Sequence, residues 1–277
     1  MLAELPAPVE VAEDTLEALA RVTGPRIFDL GAPIAEQMPQ WPEAGSRRLS
    51  RSWMVAPAER RGAGAITFAV EAIQASLHTS THIDAVVHVQ FDGLIHGGEA
   101  VASASGNGFF ERGGVESIPP IIVPFVLLDV ARAAGADAID DDAEVGPDEL
   151  ERALDQDGAS IEPGTAVLVR TGKIRSFSIG DAYLSAQPGL TVEAGEWLCE
   201  KGIALLGSDT AGTEPIPSSH PEGALHKLML FDRGIPLVEN LVLEQLARFD
   251  RRRGIFVCLP LKLVGATASW VRPVAIA

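Results

Sequence analysis

Residues 78–88 read His78-Thr79-Ser80-Thr81-His82-Ile83-Asp84-Ala85-Val86-Val87-His88, and the rest of the chain is read outward from them. Four of the six histidines, His78, His82, His88 and His96, fall within 19 residues, and the other two, His220 and His226, are also close together. On an extended backbone, side chains at even spacing share a face, and positions 78, 82, 84 and 88 are all even. On a helix His78 and His82 would align, but Asp84 would swing roughly 200° away from His82. The flanking Ile83, Val86 and Val87 favour extended backbone. The extended reading sets two imidazoles and a carboxylate on one side, with a third imidazole further along.

That donor set has a chemistry. Two neutral imidazoles and one carboxylate suit Zn²⁺, Mn²⁺ or Fe²⁺, and three protein ligands leave positions open for water and substrate. His88, in excess of that set, is placed to move protons. A lone histidine is usually a surface or satisfied core residue. The spacing H-x3-H-x-D-x3-H inside an apolar stretch argues against that for these four residues.

The chain has 277 residues, 22 Lys+Arg against 38 Asp+Glu, a formal net charge of −16, 47% hydrophobic and 22% charged residues. This is globular composition and excludes a disordered chain. The length suits one large domain or two small ones. The acidity argues against nucleic acid, which needs a basic stripe to displace phosphate counterions, and against anionic membrane surfaces. No apolar run is long enough to span a bilayer. The N-terminus, Met1-Leu2-Ala3-Glu4-Leu5-Pro6, carries an acid where a signal peptide needs a basic region. Cys199 and Cys258 make no CxxC pair and read as small hydrophobes in a reduced setting, so the expected location is cytoplasmic.

Away from the histidines, residues 7–21 read as an amphipathic helix within an N-terminal extension at about 1–24. Residues 43–64 read as irregular and carry a basic island, Arg47, Arg48, Arg51, Arg60 and Arg61. Strands are expected at 67–73, 121–130, 165–169, 203–206, 235–238, 254–263 and 271–276. Gly146-Pro147-Asp148-Glu149 opens one helix, Thr191 caps a second and Asn240 a third. Strands outnumber helices without a steady βαβ alternation, so the expected class is α/β of the mixed α+β kind, with a mixed central sheet. Gly62-Ala63-Gly64 and Gly106-Asn107-Gly108 make no GxGxxG or P-loop pattern, so a nucleotide phosphate site is not expected.

The 78–88 segment resembles the H-x-G-T-H-x-D-x-P-x-H motif of the metal-dependent cyclase family, which includes bacterial kynurenine formamidases and isatin hydrolases. The resemblance runs through Asp29-Leu30 with Met38-Pro39-Gln40-Trp41-Pro42, Gly207-Ser208-Asp209-Thr210, His226 with Gly234 to Leu241, Leu259-Pro260-Leu261-Lys262 and Arg272-Pro273-Val274. Ser80 stands at the motif's Gly and Val86 at its Pro. The resemblance implies a swivelling β/β/α domain over 1–277, assembled as a homodimer or homotetramer. It implies His78, His82 and Asp84 as metal ligands, His88 as general acid/base, and His226 and Glu239 completing a site for one or two Mn²⁺ or Zn²⁺ ions. Glu239, where it is not a ligand, would orient the water.

The leading function is a metal-dependent amidohydrolase. It would cleave a formamide or lactam C–N bond of a small aromatic substrate with metal-activated water. Trp41, Trp53 and Phe91 are candidate contacts for a flat substrate, and the arginines at 47, 48 and 51 are better read as surface or interface residues than as carboxylate anchors. His96 and His220 are read as non-ligands, and Asp209 as a brace at a strand end. A lyase, dehydratase or cyclase on the same scaffold, or a non-catalytic metal-binding protein, are the alternatives.

Overall fold

Four of the apolar runs become adjacent parallel strands: Ile121–Asp129, Ala166–Arg170, Leu205–Ser208 and Leu237–Glu239. They are runs rather than alternations because both faces are covered. Phe125, Leu127, Leu168, Leu205 and Val238 join one buried cluster with Phe28, Ile83 and Phe256. Val126, Leu128, Val167, Val169, Leu206 and Leu237 join another, closed by Leu150, Ala194, Leu198 and Met229. The computed structural model of the protein describes residues 11–22, 24–41, 49–55, 66, 68–106, 108–156 and 160–277.

The central sheet has nine strands in the order Ile27–Asp29, Val274–Ile276, Arg253–Cys258, Ile121–Asp129, Ala166–Arg170, Leu205–Ser208, Leu237–Glu239, His82–Asp84, Ala268–Trp270. The four parallel strands are flanked on each side by antiparallel pairings, so the sheet is mixed, as expected. The helices with clear start residues form where the sequence places them. Pro147–Asp155 opens with Pro at its first position and Asp148 and Glu149 against the positive end of the helix dipole. Thr191 accepts from the Ala194 N–H at the start of Val192–Glu200. The N-terminal helix is Glu13–Arg21 and packs on Ile121–Asp129 and Arg253–Cys258; residues 7–10 lie outside the described residues.

Three expectations are corrected. Asn240 caps no helix: it has φ 54°, its side chain is engaged elsewhere, and the third helix is Glu244–Arg248, after Leu243. The 43–64 segment is not wholly irregular, because Ser50–Val55 pairs with Val70–Gln74 in a separate two-stranded ribbon. Arg51 lies on that ribbon, whereas Arg47, Arg48, Arg60, Arg61 and Gly62-Ala63-Gly64 lie outside the described residues. Thirdly, the extended run across 78–88 is confined to His82–Asp84.

All four parallel strands end at one edge, with Asp129, Arg170, Asp209 and Glu239 at or just beyond their last residues. This edge is tied down by buried polar groups. Arg170 pairs with Asp129 and Glu244 at 2.8 Å each. Asp209, fully buried, accepts from the Thr171 N–H (2.9 Å), the Thr171 hydroxyl (2.7 Å) and the Gly172 N–H (2.7 Å), and is the brace the sequence suggested.

Candidate metal centre

The turn before His82 and the turn after Asp84 gather the histidines that a straight strand would have spread out. Ser80 has φ 54°, which is the conformation that suits the glycine of the resembled motif, and this reversal brings His78 back over the strand. Val86–His88 is a single 3₁₀ turn, which lifts His88 onto His78 with ring centroids 4.0 Å apart and stacked. Only His82 and Asp84 share a face by strand alternation. Register supplies Glu239, whose Cα pairs with that of His82 across the antiparallel neighbour. His226 arrives from the turn Ala224–His226, just before a π-helical turn, Lys227–Asp232.

Asp84 lies at the centre. Both of its oxygens are buried, and neither accepts an aligned hydrogen bond. His78 Nδ1 approaches Oδ1 to 2.8 Å, His82 Nε2 to 3.4 Å, and His226 Nε2 lies 3.9 Å from Oδ2. Glu239 stands opposite, with Oε2 3.4 Å from His82 Nε2 and Oε1 3.3 Å from His226 Nε2. Both residues of the His226–Glu239 pair therefore reach inward.

The far side of each imidazole is fixed. His82 Nδ1 donates to the Ser80 carbonyl at 3.0 Å, His78 Nε2 meets the Thr267 hydroxyl at 2.9 Å, and His226 Nδ1 is held by Glu214. In the neutral tautomers that donate outward, each imidazole turns a lone pair toward carboxylate oxygens. That is repulsive unless a cation or a proton lies between. Nitrogen and carboxylate donors around a buried aspartate, each oriented by a second partner, are what a divalent transition ion requires. Two donor groups close enough for one ion each are present among the described residues: His78, His82 and Asp84; and Asp84, His88 and His226.

Electrostatics follow the same geometry. Burial alone would push the Asp84 carboxyl up, but the charges of His82 and His78 and the proximity of His78 hold it well below the usual carboxylate range. Burial would push His226 down, yet the hydrogen bonds and charges of Glu214 and Glu239 hold it well above the usual histidine range. His88 lacks such a partner, and burial pushes it down to about 4, against the pull of Asp84.

Beside this cluster lies a cleft of about 660 Å³, lined by Trp41, Leu184, Pro215, Ile216 and Pro217 as apolar walls and by His88, Glu214 and His226 at the donor end. A family profile described as "Putative cyclase" matches residues 28–215. The chain belongs to the cyclase family. Among relatives of this family member is the kynurenine formamidase of Bacillus cereus (strain ATCC 10987 / NRS 248), 28% identical over 250 residues that cover 89% of this chain and 95% of that one. Among solved structures, one described as a novel cyclase has a TM-score of 0.85 at 23% identity, covering 96% of this chain and 92% of its own. Isatin hydrolase A from Labrenzia aggregata, bound to benzyl benzoate, has a TM-score of 0.70 at 25% identity, covering 95% and 98%. The mixed sheet with its helices is thus the cyclase-family fold.

Of the residues singled out in this cyclase-family sequence, the structure brings together His78, His82, Asp84, His88, His226 and Glu239, with Trp41 in the cleft wall. Trp53 and Phe91 lie outside that lining. Trp53 sits on the two-stranded ribbon and is 56% exposed. Phe91 packs edge-on against Phe231 beneath the Lys227 ammonium. His96 Nδ1 meets the Phe231 carbonyl, and His220 pairs with Glu193; neither joins a donor group. Sequence reasoning missed Glu214, Thr213 and Thr267. Thr213 donates its N–H (2.7 Å) and its hydroxyl (3.0 Å) to Glu239 Oε1. The one local sign of Glu214 is an acid set between Gly212-Thr213 and the Pro215-Ile216-Pro217 run.

Proposed function

We propose that this cyclase-family protein is a metal-dependent hydrolase that cleaves the C–N bond of a small, flat, uncharged amide, either a formamide or a lactam. Activity on a non-peptide C–N bond is the coarse reading, supported by relatives that are a formamidase and an isatin hydrolase. The observation that carries the finer one is Asp84. It is a buried carboxylate without an aligned hydrogen bond, ringed by oriented imidazole nitrogens, two of whose neighbours, His88 and His226, line the cleft.

His78, His82 and Asp84 would hold a divalent ion, Mn²⁺ or Zn²⁺, and His226 with Glu239 would complete that site or, sharing Asp84, a second one. When bound, such an ion polarises a carbonyl and lowers the pKa of water toward about 7. The protein's own groups do the rest. His88, pushed down by burial, is neutral at pH 7 and can take a proton from the nucleophile and return it to the leaving nitrogen. Its stacking on His78 fixes the distance between proton acceptor and ligand. Glu239, anchored by Thr213, is aimed at the site. Trp41 and Leu184 offer an apolar wall for a flat ring.

The cleft lining among the described residues includes Glu214 and Glu222 but neither Lys nor Arg. That favours an uncharged amide over one bearing a carboxylate, which would meet acids without a guanidinium to offset them. We place the enzyme in the cytoplasm, where its two unbridged cysteines stay reduced.

The test is metal content by ICP-MS on protein purified without chelator, beside His82→Ala, with isatin and N-formylkynurenine as substrates. One or two Mn or Zn per chain, lost in the variant together with turnover, is expected, with isatin the better substrate. A folded, active, metal-free protein would overturn the ligand assignment. A product lighter by one water, rather than heavier by one, would point to the lyase alternative.

A further inference from the structure

The donor cluster is built from two halves, and both are held from one stretch of chain that contributes no ligand. Lys173–Leu184 is a run of 3₁₀ turns, and it delivers Tyr183, Leu184 and, three residues beyond, Gln187. Gln187 is fully buried, and its amide is saturated. Its Nε2 donates to the Gly212 carbonyl and to the Glu214 carbonyl at 2.7 Å. Its Oε1 accepts from the N–H groups of Ala211 (3.0 Å) and Gly212 (3.3 Å). This loop holds one half of the cluster, because Thr213 anchors Glu239 and Glu214 grips His226 Nδ1.

Tyr183 serves the other half. Its hydroxyl, 1% exposed with the rest of the side chain, donates to Asn240 Oδ1 at 2.9 Å. Asn240 Nδ2 in turn donates at 3.0 Å to the Ser80 carbonyl, the same oxygen that receives His82 Nδ1. The Asn240 carbonyl accepts from the Thr81 hydroxyl at 2.7 Å. Both Ser80 and Asn240 hold a positive φ. Non-glycine residues persist there only where surrounding contacts over-determine the backbone. Leu184, next to Tyr183, lines the cleft.

We propose that Gln187 and Tyr183 are positioning residues of the metal centre: Gln187 sets Glu239 and His226 through the 211–214 loop, and Tyr183 sets His82 through Asn240. The inference rests on the metal-dependent reading above. A buried amide with four partners of fixed polarity dictates which way each peptide faces, and that cannot be done by packing alone. The segment thereby keeps the two halves in register with each other and, through Leu184, with the wall that meets substrate.

Two near-isosteric variants separate positioning from folding. Gln187→Glu replaces two donors by an acceptor edge against the Gly212 and Glu214 carbonyls, with Gln187→Met as the alternative should the glutamate unfold. Tyr183→Phe removes only the hydroxyl. Circular dichroism and a thermal melt establish that each is folded. Co²⁺ is then titrated into the metal-free proteins and followed by its visible absorption, which reports both affinity and ligand geometry. Each variant is expected to bind Co²⁺ about 10- to 100-fold more weakly, with an altered spectrum. A second readout needs no metal: side-chain ¹⁵N shifts of the metal-free proteins. Tyr183→Phe is expected to move His82 and leave His226, and Gln187→Glu to do the reverse. Folded variants that keep the Co²⁺ affinity and both histidine shifts would overturn the proposal. A wild-type protein that takes up no Co²⁺ would instead sink the metal reading, and the selective shifts would then decide this inference by themselves.

Discussion

His88 and Asp209 show how one residue's surroundings set its chemistry. His88 lies close enough to Asp84 and His226 to be a donor, yet it stands outside the group of His78, His82 and Asp84 proposed to hold an ion. As a proton carrier its loss should cut kcat by about 10²- to 10⁴-fold, while ICP-MS finds the ion count of His88→Ala unchanged. A variant that loses half of its ions would make His88 a ligand of the second group. Asp209 is distant from that question and bears on stability. Burial pushes its carboxyl up to about 6 from the ordinary aspartate value of about 3.9, against the three hydrogen bonds it accepts. Between those values the native state keeps a proton that the unfolded chain has released. The stability it contributes is therefore fully present below about pH 4 and is lost as pH rises through 6, up to about 3 kcal/mol in all. Asp209→Asn leaves one backbone donor facing an amide NH₂ and is expected to cost about 1–3 kcal/mol. In urea titrations that deficit should shrink from pH 4 to pH 6, whereas a deficit constant with pH would show that the carboxyl does not titrate in this window.

At the scale of elements, the centre depends on two tight reversals around a three-residue strand. Ser80 is the informative position, because it is a non-glycine at φ 54° whose hydroxyl donates to the Ala32 carbonyl at 3.0 Å. Ser80→Gly would release backbone strain of about 1 kcal/mol and give up a hydrogen bond of about the same size. The net change in stability should stay within about 1 kcal/mol, and metal content should not change. Ser80→Val has the same loss without the release, and a β-branched side chain at positive φ adds about 1–3 kcal/mol. Denaturant midpoints of the two variants, side by side, check this; equal midpoints would show that the turn relaxes to negative φ.

At the scale of the whole molecule, the ribbon of Ser50–Val55 and Val70–Gln74 stands apart from the central sheet, and every residue of its second strand is exposed. Trp53 and Ile73 share one of its faces and are 56% and 49% exposed. A two-stranded ribbon is marginal by itself in water, and these exposed apolar side chains give a direct test of the homodimer or homotetramer that the family resemblance implies. Light scattering after gel filtration should give a mass above that of one chain for the wild type. Trp53→Glu with Ile73→Glu should lower it to the monomer while leaving circular dichroism of the body unchanged. An unchanged mass would place the contact elsewhere.

Periodicity and residue chemistry are local properties, and what depended on them could be read from the chain alone. The four apolar runs announced strands, and the fold then covered both of their faces. Pro147 and Thr191 marked two helix starts, and type, spacing and resemblance singled out the six side chains, His78, His82, Asp84, His88, His226 and Glu239, that the fold gathers into one cluster. Tertiary structure decided how those donors meet. The even spacing of 78, 82, 84 and 88 suggested one long strand, but the polypeptide reverses at Ser80 and coils at Val86–His88, so the cluster forms by two turns and a cross-strand register. Asn240 looked like a helix cap because its side chain suits one; in the fold, Tyr183 and the Ser80 carbonyl claim it. Glu214, Thr213, Thr267 and Gln187 act through partners from 12 to 189 positions away or through loop backbone. No local pattern encodes such contacts, because packing of the sheet, and not the sequence around each residue, sets which distant polar groups are buried together.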